Sequence, residues 1–98
     1  MHEGGSQTYV VKNTPHKRHP EVFTREKLHK SLVSACLSAG SQAGHSDTIA
    51  SRVVEDVLVW LEDRPEVTSN DLRRVAAKHL KTYHPDASYL YEHHRATI

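Results

Sequence analysis

The chain has 98 residues, 37% hydrophobic and 26% charged, with 13 Lys and Arg against 12 Asp and Glu. That length suits one domain with one core, and the composition is far from the apolar-poor, charge-rich signature of disorder. A net charge of +1 excludes a general field for nucleic acid or anionic lipid, so any anion site must be local.

Residues 1–7 are Gly-rich and polar and are expected to form a flexible tail ahead of a single domain over 8–98. Thr8-Tyr9-Val10-Val11-Lys12 and Glu21-Val22-Phe23 are rich in β-branched and aromatic residues. They predict two short strands joined by a basic loop, Asn13 to Pro20. An isolated ribbon is marginal in water, so this one must lie across helices.

Thr24 is the expected N-cap of a first helix in which Leu28, Leu32, Ala35, Cys36 and Ala39 recur at helical spacing until Gly40 stops it. Ser41 to Ser46 reads as a loop, with Ser46 or Asp47 capping a second helix that carries Ile49, Val53, Val54, Val57, Leu58 and Leu61. Arg64-Pro65 breaks the pattern and predicts a turn, because the residue before proline avoids helical geometry. Thr68 or Ser69 starts a third helix, with Asp71 in its first turn and Leu72, Val75, Ala76, His79, Leu80 and Tyr83 on one side. His84-Pro85-Asp86 is a second break, and Ala87 to about Arg95 makes a short last helix. The sum is a mostly α fold with a small N-terminal β-hairpin and four helices.

Four segments in this order carry a family resemblance: Val11-Lys12, then Glu21-Val22-Phe23-Thr24-Arg25-Glu26-Lys27-Leu28, then Val67-Thr68-Ser69-Asn70-Asp71-Leu72, and last Ala87-Ser88-Tyr89-Leu90-Tyr91. With them, the stretch from Tyr9 to about Arg95 resembles the ATP-cone, the allosteric nucleotide-binding domain of many ribonucleotide reductases and their transcriptional repressor. The resemblance implies a four-helix bundle capped by the hairpin, with ATP or dATP, and Mg2+ where the triphosphate requires it, held between hairpin and helix ends. On that reading Lys12 and Lys27 face phosphate oxygens, and Val11 and Val22 offer apolar surface to the base. Glu21 accepts from a ribose hydroxyl or base amine, and Thr24 donates to phosphate or caps its helix. Ser69 and Arg73 stand at family ligand positions.

The family continues its valine-lysine pair with a basic residue and an Asp-Gly turn, whereas this chain has Asn13-Thr14-Pro15-His16-Lys17-Arg18-His19-Pro20. Proline removes an amide that a tight turn would aim at phosphate, and Asn13, Lys17 and Arg18 are the replacements on offer. Two functions follow. One is a regulatory, non-catalytic adenine-nucleotide domain, acting as a homo-oligomer or with a larger reductase or regulator. The alternative is a helical protein-interaction module with the same fold and a degenerate site.

Other residues carry plainer expectations. Cys36, the one cysteine, excludes an internal disulfide and a paired-cysteine zinc site, and its stripe position predicts a buried small hydrophobe. The pairs His16/His19 and His93/His94 lack partners at a recognisable metal-ligand spacing, so no metal is expected. Trp60 sits beside the apolar stripe of the second helix, where a partner could pack. No nucleophile with a base, no paired carboxylates and no Walker-type glycine loop point to an enzyme. No apolar run approaches the roughly 20 residues that span a bilayer, and the expected setting is the cytoplasm, without membrane or nucleic acid as partner.

Overall fold

The protein was analysed as a computed structural model, which describes residues 7–11 and 20–93. It is mostly helical, with four helices and one small three-stranded sheet. The strands are β1 (Tyr9–Val11), β2 (Glu21–Val22) and β3 (Glu66–Thr68), and the helices α1 (Arg25–Ser38), α2 (Ala43–Leu61), α3 (Ser69–Tyr83) and α4 (Pro85–His93).

The sheet order is β2-β1-β3, with β1 antiparallel to β2 and parallel to β3. The two expected strands pair antiparallel, and the segment expected as a turn before the third helix supplies a third strand. Tyr9, Val10 and Val11 lie opposite Glu66, Val67 and Thr68, and the Tyr9 amide donates to the Pro65 carbonyl at 2.9 Å. Val10 and Val67 are buried, so they peg the sheet to the helices while their neighbours face outward.

The core is built as the periodicity requires. Leu28, Leu32, Cys36, Val53, Val54, Val57, Leu72 and Leu80 are all fully buried, and α1 and α3 each pack against both α2 and α4. Burial pushes the Cys36 thiol pKa up, as expected of an inert core thiol. Around the core, polar side chains stitch helix to helix: Arg25 pairs with Glu55, His29 with Asp47 at 3.1 Å and His79 with Asp56 at 3.6 Å.

Helix ends show where local signals win and where packing overrides them. Gly40 has φ +97°, and the Ser41 and Gly40 amides donate to the carbonyls of Cys36 and Leu37, the double closure that glycine permits after a helix. Thr24 occupies the N-cap position of α1 but makes no side-chain capping bond. Thr68 does cap α3, its Oγ1 accepting from the Asp71 amide at 3.0 Å. Thr68→Ala should therefore cost about 1 kcal/mol, lowering the thermal midpoint by roughly 4–8 °C, whereas Thr24→Ala should leave it nearly unchanged. Parallel melting curves check this contrast.

Two starts differ from expectation. Helix α2 begins at Ala43 after an extended Gln42, not at Ser46 or Asp47. Ser46 is instead fully buried in the first turn, and Asp47 reaches across to His29. Helix α4 begins at Pro85 rather than Ala87, because proline suits the first helical position, where no intrahelical donor is needed. His84, just before it, is held by Ser41 Oγ at 2.8 Å.

Candidate functional site

Helices α1, α3 and α4 meet around Tyr91, which is buried and hydrogen-bonded through its hydroxyl to Ser31 Oγ at 2.9 Å. Ser31 in turn donates to the Leu28 carbonyl at 2.8 Å. Burial raises the Tyr91 pKa to about 12, against the opposing pull of the Ser31 hydrogen bond and the positive charge of Arg73. The phenol is neutral in the fold, so its contribution to stability is complete below about pH 10, the ordinary tyrosine value, and is lost as pH rises toward 12. Tyr91→Phe should remove that alkaline dependence and cost about 1 kcal/mol; urea unfolding at pH 7 and pH 10.5 reads both effects.

This centre relates the expected ligand residues to one another. Lys27 lies one helical turn before Ser31 on α1, and Arg73 lies close enough to Tyr91 to act on its charge. The two cations line different hollows, Lys27 beside β2 and Arg73 at the head of α3. Lys27 Nζ donates to Glu21 Oε1 at 3.0 Å, both side chains being about half exposed. Arg73 is half-buried, and its guanidinium donates to Asn70 Oδ1 at 3.4 Å.

The other expected residues divide. Val11 is the last residue of β1 and pairs with Thr68, directly before Ser69 at the head of α3. Val22 pairs with Tyr9, and both are exposed at 42% and 41%. Strand alternation puts Val11 and Val22 on the sheet face opposite Val10 and Glu21, while Val22 and Glu21 still wall one small hollow at the start of α1. Thr24 is exposed at the start of α1. Lys12, Asn13, Lys17 and Arg18 lie outside the described residues, as do His16, His19 and His94.

Two hollows mark this end of the fold. One, with Val10, Glu21, Val22, Phe23, Thr24 and Lys27 on its walls, holds only about 10 Å³, far below the roughly 300 Å³ at which ligand pockets begin. The other is a cleft of about 490 Å³ between the start of α3 and the end of α4, lined by Asn70, Arg73, Arg74, Glu92 and His93. Arg74 is tied to Asp71 at 2.7 Å. Sequence reasoning found Arg73 here but missed Asn70, Glu92 and His93, which become neighbours only when α4 folds back on α3. Adjacent arginines one turn into a capped helix were the signal within reach.

Elsewhere the plainer expectations meet their outcomes. Trp60 is half-buried against the core, with the Arg64 guanidinium 4.7 Å from its ring centroid, so a neighbour on its own chain covers it. His79 is half-buried on Asp56. Among the described residues no three His, Cys, Asp or Glu gather closely enough to share a metal ion, and no helix is long and apolar enough to cross a membrane.

No protein-family model, curated protein or solved structure matches the chain.

Proposed function

We propose that this chain is an ATP-cone-like regulatory domain, a four-helix bundle capped by its small sheet, which binds ATP or dATP and catalyses no reaction. The observation that carries the reading is the parallel β1–β3 register. Because Val11 lies opposite Thr68, β1 ends beside the N-terminus of a 15-residue helix, where the helix dipole favours an anion. Lys27 stands on the β2 side of the sheet, paired with Glu21, and Arg73 and Arg74 line the cleft at the head of α3. The cleft of about 490 Å³ is of nucleotide size.

In this reading phosphates lie toward Lys27, Ser69 and Arg73, with Lys12 joining from the strand end. Glu21 holds Lys27 until the phosphate takes it, and is then released to accept from the sugar or base. Binding at the head of α3 would be coupled through Tyr91 to the packing of α1 on α4. Oligomeric state is the expected output.

The alternative, a protein-interaction module, is favoured by one specific observation: the Glu21–Lys27 pair already satisfies the ammonium that the ligand needs. A melting experiment separates the two. ATP or dATP at about 100 times its dissociation constant should stabilise by about 2.7 kcal/mol, raising the midpoint by roughly 10–20 °C, with GTP less effective. Lys27→Ala should reduce the shift by weakening affinity about 10- to 100-fold. Equal midpoints with and without every nucleotide would leave only the interaction module.

A further inference from the structure

Between Leu72 and Pro85 the sequence has Arg73, Arg74, Lys78 and Lys81 and no Asp or Glu, a concentration of charge in a chain whose net charge is +1. Arg74, Lys78 and Lys81 are all exposed. At spacings of four and three residues they form a ridge along about 10 Å of the α3 axis, on the flank opposite buried Leu72, Ala76 and Leu80. Arg74 is bound to Asp71, while Lys78 and Lys81 have no ion-pair partner among the described residues.

A second feature lies beside the ridge. Tyr89 is 64% exposed and its ring stands 4.2 Å from that of His93, one turn on. His93 lines the same cleft as Arg74, and α4 packs along α3, so an aromatic pair flanks the basic ridge. Glu92 shares the cleft and keeps phosphate off the α4 side, so a polyanion is confined to the α3 ridge.

We propose that the exposed α3–α4 surface binds single-stranded nucleic acid, its backbone phosphates on Arg74, Lys78 and Lys81 and one base stacked on the Tyr89–His93 pair. Each of the three cations can meet one backbone phosphate. The exposed ring selects a strand with free base faces over a duplex, whose bases are hidden.

The test is the fluorescence anisotropy of a labelled twelve-residue thymidine oligonucleotide titrated with the whole chain from 50 to 200 mM salt. The expected slope of log affinity against log salt is about −2, at −0.7 for each phosphate neutralised. Lys78→Gln with Lys81→Gln should bring it to about −0.7, and Tyr89→Ala should weaken binding roughly tenfold. Glu92→Gln should tighten it. The double variant should keep the same response to ATP as the parent chain, whatever that response is, so this result stands or falls apart from the nucleotide site. Absent binding, a slope unchanged in the double variant, or a duplex bound as tightly as the single strand would overturn the proposal. So would self-association in sedimentation that the same double variant abolishes, since the ridge would then serve a second copy's carboxylates.

Discussion

Replacing Leu72 with alanine is expected to cost about 2–5 kcal/mol, close to the whole stability of a domain this size, about 5–15 kcal/mol. Leu72 is fully buried one residue after the amide that Thr68 caps. It anchors the start of α3 just where β3 ends. Removing its side chain opens a cavity under the sheet, and the rigid neighbours Val10 and Val67, both buried, have little freedom to collapse into it. Chemical denaturation should show a midpoint shift with an unchanged slope. A loss below 1 kcal/mol would mean that the junction of β3 and α3 is not packed as described.

Arg73→Glu carries the second large effect, and it falls on binding rather than folding. The side chain is half-buried beside Asn70 and near Tyr91, so reversal puts a carboxylate where the proposed phosphates lie. A charge-assisted contact worth about 1.5–3 kcal/mol is lost and a repulsion added, which predicts a fall in ATP affinity of at least about 100-fold. Arg73→Gln, which keeps size and hydrogen bonding, should lose less. Equilibrium dialysis with labelled ATP reads the difference, provided circular dichroism shows both variants folded. Equal affinity in the two variants would place the phosphates elsewhere.

What the sequence made legible is what short-range physics controls. The stripe Leu28, Leu32, Ala35, Cys36 gives α1, and Gly40 closes it because only its backbone accepts a positive φ without strain. Proline at 65 and 85 marks both later interruptions. Strand β3 was not legible, because Glu66-Val67-Thr68 is three residues long and becomes a strand only through a partner more than fifty residues away in sequence. The start of α2 escaped for a related reason. Ser46 and Asp47 have good capping chemistry, but burial of Ser46 and the reach of Asp47 to His29 draw both into the helix.

The candidate site divides in the same way. Glu21 and Lys27, six residues apart, meet across the β2–α1 corner, and the pattern that singled them out also predicts their proximity. Arg74, Glu92 and His93 meet through the fold-back of α4, and nothing in their own neighbourhoods announces it. Val11 and Val22 illustrate the converse. They are placed on one ligand by resemblance; the two-residue period of a strand alternates their side chains with Val10 and Glu21, and Val22 alone of the two shares a hollow with Glu21.

The central claim is that the end of the sheet and the head of α3 together hold the triphosphate of an adenine nucleotide. Isothermal titration of the intact chain with ATP in magnesium buffer tests it most directly. Saturable heat at one site per chain, weakened by Lys27→Ala and by Arg73→Glu, is the predicted result. Absence of heat with ATP and dATP across a range of temperatures, with the protein shown to be folded, would contradict it.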